Sequence, residues 1–151
     1  MKSLIPILVG LLIVVGAGVR AADLPVYHSV SVNAYGCVNT DAFRDVTVAQ
    51  NGDVIATGYY DDSTGGDKNI VLARFGPDGT LLWRRVFGTS ADDEGYSVIE
   101  THDGDILLVG YRTTTGDGAD FLISRWSPTG DERYTRYWGR GTGHDEKLFA
   151  V

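Results

Sequence analysis

The segment Leu72-Ala73-Arg74-Phe75-Gly76-Pro77-Asp78-Gly79 returns later in the chain as Ile123-Ser124-Arg125-Trp126-Ser127-Pro128-Thr129-Gly130. Both copies keep the arginine, the aromatic residue, the proline and the final glycine at the same spacing. Alternating side chains followed by a proline and a glycine are typical of a β-strand that ends in a tight turn. Because the two copies are 51 residues apart, the sequence indicates an internal repeat.

The similarity extends on both sides of this segment. Residues 45–59 align with residues 97–111 at an offset of 52, and Asp93-Glu94 aligns with Asp145-Glu146 at the same offset. We therefore predict two whole repeats, at residues 44–95 and 96–146. Residues 22–43 are expected to carry the outer strand of a preceding repeat, at positions 26–35. Residues 147–151 are expected to start a following repeat.

Each repeat is predicted to form four strands. In the first repeat they span residues 44–50, 53–60, 69–75 and 80–87, and in the second residues 96–102, 105–112, 120–126 and 131–138. Asn51-Gly52 is a strong signal for a two-residue hairpin. Four antiparallel strands in about 50 residues are typical of a β-propeller blade. The predicted fold is therefore all-β, an incomplete propeller of about two complete four-stranded blades with partial blades beside them.

These residues also carry a family resemblance. The segments Asn51-Gly52-Asp53, Gly58-Tyr59, 72–83, Phe87-Gly88 and 92–94 resemble the repeats of bacterial and archaeal cell-surface β-propellers. Residues 79–83 also look like the tryptophan-docking segment of pyrroloquinoline-quinone-type propellers. The resemblance implies a propeller fold, whereas closed propellers have roughly four to eight blades. We expect a piece of a longer propeller, a ring assembled from several copies, or an open sheet that aggregates.

The N-terminus has the pattern of an export signal. A short positive start is followed by an apolar run from Leu4 to Val15, and Val19-Arg20-Ala21 is a small-residue cleavage pattern. The run is short for a stable membrane anchor, which needs about 20 residues. We predict a signal peptide at residues 1–21 and an exported chain, in the periplasm, outside the cell or on its surface. Contact with a membrane would come through this segment if it stayed uncleaved.

Composition limits the partners. The 20 acidic and 13 basic residues give a net charge of −7, which argues against a nucleic-acid partner because phosphate binding needs a basic face. Cys37 is the single cysteine, so an internal disulfide and a cysteine-based zinc site are excluded. His28, His102 and His144 are isolated, and no phosphate loop, dinucleotide fingerprint or nucleophile elbow is present. The sequence assigns no catalytic residue.

Acidic residues are expected to gather on one face of the blades, where the longer loops lie. Carboxylates there suit a hard cation such as calcium, or a cationic ligand, while a role in turns and solvated loops is the alternative. Recurrence of Asp-Glu at one repeat position also fits a structural task such as capping a backbone amide. The candidate ligand contacts are Tyr59, Tyr60, Asp61, Asp62, Asp67, Tyr111, Asp117 and Asp120. The candidate cation ligands are Asp92, Asp93, Glu94, Asp145 and Glu146.

Trp83, Trp126 and Trp138 recur with the repeat and are expected to pack between blades. The function predicted from these features is an exported, non-enzymatic propeller module that binds or scaffolds through its acidic loops. Its partner would be a protein or glycan at the cell surface, or further blades of the same propeller. The alternative is a piece of a propeller enzyme, either a hydrolase or a quinone-dependent oxidoreductase, although the lone Cys37 speaks against the quinone enzyme.

Overall fold

The structure, a computed structural model, describes residues 40–61, 67–114, 118–140 and 143–151. It contains eight strands, which are β1 (Ala42–Val48), β2 (Val54–Tyr60), β3 (Asn69–Phe75), β4 (Leu81–Phe87), β5 (Glu94–Glu100), β6 (Ile106–Thr114), β7 (Gly118–Trp126) and β8 (Glu132–Trp138). They form two four-stranded antiparallel sheets in the orders β1-β2-β3-β4 and β5-β6-β7-β8. For the described residues, the prediction of an all-β fold with four antiparallel strands in each predicted repeat is confirmed.

Several predicted features lie outside the described residues. They are the signal peptide at 1–21, the strand expected at 26–35, His28 and Cys37. Within the described ranges no helix is long and apolar enough to cross a membrane.

The first strand of each repeat begins and ends two residues earlier than predicted, because a β-bulge interrupts its alternation. The register of β1 against β2 shifts between Phe43 and Asp45, and that of β5 against β6 shifts between Gly95 and Ser97. A bulge places two residues opposite one, so a strict period of two fails there. Residues 147–151 are described and form no strand, and Leu148 N donates to the Gly110 carbonyl at 3.4 Å. That they start a further repeat stays a prediction.

The predicted two-residue hairpin at Asn51-Gly52 is wrong. A two-residue type I′ turn needs positive φ at both central residues. Gly52 has a φ of 89°, and no non-glycine residue in the described part of the chain has a positive φ. Ala49 N donates to the Asp53 carbonyl at 2.8 Å, and Gly52 N donates to the Ala49 carbonyl at 2.9 Å. The loop therefore has three residues and ends in glycine, as do the turns closed by Gly79, Gly104 and Gly130.

One face of each sheet carries three rows of residues that are paired across β-strands. We call it the leading face, and the opposite face the trailing face. The rows of the first sheet are Ile55–Arg74–Trp83, Thr57–Leu72–Arg85 and Tyr59–Ile70–Phe87. The rows of the second sheet are Leu107–Arg125–Tyr134, Val109–Ile123–Arg136 and Tyr111–Phe121–Trp138. Position by position these are the same repeat residues, so both sheets carry a closely similar leading face.

The leading face of the first sheet packs on the trailing face of the second. The buried core joins Ile55, Ile70 and Leu72 of the first sheet to residues of the second, which are Val98, Ile106, Leu108, Leu122 and Trp126. The Phe87 and Trp126 rings lie 5.0 Å apart. Burial of this apolar surface supplies the main drive for the contact, at roughly 25 cal/mol per Å² removed from water. The expectation that Trp83 and Trp126 pack between the sheets is confirmed.

Polar groups fix the register of this contact. Trp83 Nε1 donates to the Pro128 carbonyl at 3.1 Å, and Arg85 Nε donates to the Gly130 carbonyl at 2.8 Å. The first sheet is therefore held on the turn between β7 and β8. A slip between the sheets would take both carbonyl acceptors away from these donors. The free-energy penalty of a donor left without a partner is larger than the net gain from its hydrogen bond.

Arg74 is a buried cation of the contact, with a side chain that is 6% exposed. Its Nε donates to Asp53 Oδ2 at 2.7 Å within the first sheet. Its Nη2 lies 3.8 Å from Glu100 Oε1, and its Nη1 donates to the Pro128 carbonyl at 3.4 Å, both in the second sheet. Arg125, at the same position in the second repeat, pairs with Asp105 and remains 29% exposed.

Replacing each of these two arginines distinguishes the effect of the contact between the sheets from the effect of the repeat position itself. Arg74→Met removes the cation from buried Asp53 and from Glu100, so we expect a loss of about 3 kcal/mol in the free energy of unfolding. Arg125→Met is the matched control and should cost clearly less, because its ion pairs are exposed to water. Urea denaturation followed by tryptophan fluorescence, at a concentration where the chain is monomeric, measures both. Equal losses would contradict the assignment of Arg74 to the contact.

Candidate functional site

The loops that connect β2 to β3, β4 to β5 and β6 to β7 lie at one end of the sheets, together with the residues after β8. We call this the loop end, and it carries the site residues expected from the sequence. Asp62 and Asp117 fall outside the described residues. The other candidates are described, and most of their side chains bind groups of the chain itself.

Asp93 is fully buried at the loop end. One carboxylate oxygen accepts hydrogen bonds from the backbone N–H of Thr89, and the other accepts one from Thr113 N at 2.7 Å. Burial raises the pKa of Asp93, while the hydrogen bonds from the two amides act in the opposite direction. The carboxylate ties the β4–β5 connection to the end of β6, so it has a structural task.

Aspartates at the equivalent positions also accept hydrogen bonds from backbone amides, Asp41 from one just after β2 and Asp145 from one at the start of β7. Asp41 Oδ1 accepts a hydrogen bond from Asp61 N at 3.0 Å, and Asp145 Oδ1 accepts one from Ala119 N at 3.0 Å. The interpretation that the repeated aspartate caps backbone amides is confirmed for Asp41, Asp93 and Asp145. Asp61, a candidate ligand contact, is itself one of the capped residues and is buried.

Glu94 lies next to Asp93 but has a different role. It is buried, with one carboxylate oxygen 3.1 Å from Arg44 Nη2 and the other 3.1 Å from Lys68 Nζ. Arg44 and Lys68 also lie over the Tyr59 ring, at 5.2 and 4.7 Å from its centroid. Because both cations belong to the first sheet, Glu94 fastens the start of β5 to that sheet. The hydrogen bond to Glu94 is the main cause that raises the pKa of Lys68.

Glu146, the equivalent of Glu94, makes a much weaker contact, with Arg140 Nε at 3.9 Å. The position of Arg44 is occupied by Tyr96 in the second repeat, so the bridging cation is missing there. Glu146 therefore stays available near the surface, next to exposed Asp145.

The candidate tyrosines differ in access. Tyr59 and Tyr111 are buried, and burial raises the pKa of Tyr111 far above its usual value. Lys147 Nζ lies over the Tyr111 ring at 4.1 Å. Tyr60 is half-buried, with the Arg84 guanidinium 4.5 Å from its ring centroid. Tyr60 is thus the one of these three tyrosines that a ligand could reach.

The structure does not bring the candidate cation ligands into one cluster. Among the residues that it describes, no group of three or more histidine, cysteine, aspartate or glutamate residues is arranged to hold a metal ion. Asp93 and Glu94 are engaged with amides and cations, and Asp92 Oδ1 accepts a hydrogen bond from Lys68 N at 3.1 Å. Asp67 and Asp120 are half-buried at the starts of the β3 and β7 regions. Binding of calcium stays a prediction.

Asp45 is a structural carboxylate that the sequence analysis missed. Its Oδ2 accepts hydrogen bonds from Ser97 Oγ at 2.8 Å and from Val98 N at 2.9 Å, which joins β1 to β5 across the two sheets. Burial opposes the charged form, but the donated hydrogen bonds outweigh it and hold the pKa of Asp45 below its usual value. One signal was visible, because the repeat places Ser97 where the first copy has Asp45.

In the part of the chain that the structure describes, two sheet faces carry exposed apolar or aromatic side chains. The first is the leading face of the second sheet, where Tyr134 is 36% and Trp138 is 49% exposed. The Trp138 ring lies 5.7 Å from the Phe121 ring. At the loop end the same face continues into a hollow lined by Phe121, Trp138, Gly139, Arg140, His144, Asp145 and Glu146. Trp138 therefore departs from the expected burial between blades.

The second exposed surface is the trailing face of the first sheet. A groove of about 290 Å³ lies there, lined by Phe43, Tyr60, Leu81, Arg84 and buried residues between them. The Phe43 ring meets the Phe75 ring edge-on at 6.0 Å. Beside the groove, four apolar side chains are exposed, which are Val46, Val48, Leu82 and Val86.

No family model matches the chain, and no curated protein matches it.

Removal of the buried cap should destabilise the chain. Asp93→Ala leaves two part-buried amides without their acceptor, so we expect a loss of about 1 kcal/mol or more in the free energy of unfolding. Asp92→Ala, at the exposed neighbouring position, is the control and should cost less. Thermal and urea unfolding of both variants measure the difference. If Asp92→Ala were as harmful as Asp93→Ala, the capping role would be refuted.

Asp45 should make stability depend on pH. Its pKa is lowered in the folded state, so its contribution is present above the unfolded value of about 3.9 and is lost as the pH falls through the folded value. Between pH 6 and pH 2.5 the wild type should therefore lose more stability than Asp45→Asn. Urea midpoints at several pH values give both profiles. Parallel profiles would show that the carboxylate is not held by Ser97 and Val98.

Proposed function

We propose that this chain is an exported, non-catalytic repeat module of the β-propeller type, which binds a protein partner through the leading face of its second sheet. Export is supported by the apolar N-terminal segment that ends in Val19-Arg20-Ala21. The propeller type is supported by the four-stranded antiparallel sheet that each repeat forms.

One observation carries the proposal. The β4 positions of the leading face are covered by a second sheet in the first repeat, whereas the equivalent β8 positions are exposed in the second repeat. Phe87 packs against Trp126, whereas its equivalent Trp138 is half exposed. Trp83 donates to a carbonyl of the neighbouring sheet, whereas its equivalent Tyr134 faces solvent. A face that docks on protein in one copy is suited to dock on protein in the other.

The chemistry of the face also favours a protein partner. Tyrosine, tryptophan and arginine dominate the energetics of protein interfaces, and Tyr134, Trp138 and Arg136 provide them here. Asp145 and Glu146 border Trp138 at the loop end and supply a polar rim. The acidic loops contribute less than the net charge suggests, because Glu94 is neutralised by Arg44 and Lys68.

In this function the recurring side chains serve packing and docking. Arg74, Trp83, Arg85 and Asp93 are each satisfied by groups of the chain. Their use in joining the two sheets supports a module whose task is contact with other protein surfaces.

Photo-crosslinking in the native cells tests this function. A benzophenone amino acid at Tyr134 should give a defined adduct with a protein, whereas the same group at His102, on an exposed tight turn, should give none. Mass spectrometry of the adduct identifies the partner and the contact. Adducts at His102 but not at Tyr134, or none at either position, would contradict the proposed binding face.

A further inference from the structure

We infer that the partner of this face is a second copy of the same chain, which docks with the trailing face of its first sheet. The inference rests on the proposed function, since it names the partner for the same face. The contact would run head to tail, because two different faces of the chain meet.

The contact between the two sheets supplies the template. On the trailing face of the second sheet, a recess lined by Leu122, Thr135 and Tyr137 is bordered by Phe87 and Ile70 of the first sheet. The equivalents of Leu122, Thr135 and Tyr137 in the first sheet are Val71, Arg84 and Val86. Val71 and Arg84 line the groove on the trailing face of that sheet. The groove on the first sheet therefore includes repeat positions that, on the second sheet, line the recess bordered by Phe87.

Trp138 is the side chain that suits this groove. In the internal contact Phe87 of the leading face meets Trp126 of the trailing face at 5.0 Å. In the contact between copies Trp138 would take the place of Phe87, and Phe75 the place of Trp126. Each pair combines one phenylalanine with one tryptophan. The tryptophan lies on the trailing face in the internal contact and on the leading face in the contact between copies. The ring pair is thus comparable in the two contacts, whereas Phe43 lies on the trailing face where the internal contact has Gly95, so the Phe43 ring has to turn away on docking.

The polar part of the contact can form in the same way. Arg74 and Trp83 donate to the Pro128 carbonyl of the turn on which they dock. Their equivalents Arg125 and Tyr134 face the exposed side of the second sheet, and the equivalent of Pro128 is Pro77. The two turns have the same backbone, since Gly79 and Gly130 have φ values of 82° and 80°. Pro77 of a second copy therefore offers its carbonyl at the matching position.

Apolar exposure on both faces supplies the drive for association. Val46 is 60% exposed on the trailing face, whereas its equivalent Val98 is buried in the internal contact. Trp138 on the leading face is half exposed, whereas Phe87 packs on the core. Removal of such surface from water favours docking. Residues 147–151 contact the inner strands of the leading face, with the Phe149 ring 4.8 Å from the Tyr96 ring, so docking of a second copy has to displace them.

Sedimentation velocity on the full chain tests the inference with two surface variants. Trp138→Glu damages the leading face and Val46→Glu damages the trailing face, while His102→Glu is an exposed control. The wild type and His102→Glu should associate as the concentration rises. Each of the other variants should associate at least about tenfold more weakly, since a charge is placed in an apolar contact. Unchanged circular dichroism and melting temperature establish that each variant is folded.

Mixing the two variants tests the head-to-tail geometry. Val46→Glu keeps its leading face and Trp138→Glu keeps its trailing face, so an equimolar mixture should form a dimer and nothing larger. Absence of that dimer, or a wild type that stays monomeric at all concentrations, would overturn the inference. Loss of association in Trp138→Glu but not in Val46→Glu would also overturn it, because it would indicate a face-to-face contact.

The outcome is separable from that of the proposed function. A monomeric wild type together with an adduct at Tyr134 to a different protein would leave the binding face standing and refute the second copy as partner. A monomeric wild type with no adduct at Tyr134 would refute both.

Discussion

The arrangement of the two sheets depends on the Arg74 guanidinium. A buried guanidinium is stable only when ion pairs and hydrogen bonds replace the water it has lost. The first sheet supplies Asp53 and Asn51, and the second supplies the Pro128 carbonyl and Glu100. Because part of this set comes from each sheet, Arg74 is satisfied in one relative position of the two. The apolar contacts of Ile55, Leu72 and Trp126 supply most of the energy, but they specify that position less sharply.

The second repeat places nearly the same residues in a different environment. Arg125 keeps its local carboxylates but has no described neighbour in the place of Glu100, and it is five times as exposed as Arg74. Trp138 and Tyr134 are exposed where Phe87 and Trp83 are packed. The residue types needed for a sheet-to-sheet contact are therefore present twice, while the described chain makes the contact once. That inequality is the physical reason for treating the leading face of the second sheet as a binding surface.

The sequence predicted the four antiparallel strands of each repeat, because alternation and recurrent turns are local signals. It misplaced the ends of β1 and β5, since the bulges near Asp45 and Ser97 break the alternation. The capping role of Asp93 could be predicted, because aspartate recurs at the same repeat position. The ion pairs of Glu94 could not be predicted, because Arg44 lies 50 residues away and its equivalent in the second repeat is Tyr96. A contact that only one of the two repeats makes does not appear as a recurring residue pattern in the sequence.

The loop end shows why net charge is a poor guide to a binding site. Its acidic residues were expected to act together on a cation, yet the fold uses them separately. Asp41, Asp93 and Asp145 accept backbone amides, and Glu94 binds Arg44 and Lys68. A carboxylate bound in this way would have to give up those partners before it could coordinate an ion, so its affinity falls by the cost of the broken contacts. The aromatic and arginine side chains of the second sheet bear no such cost, and docking there gains the burial of their exposed surface.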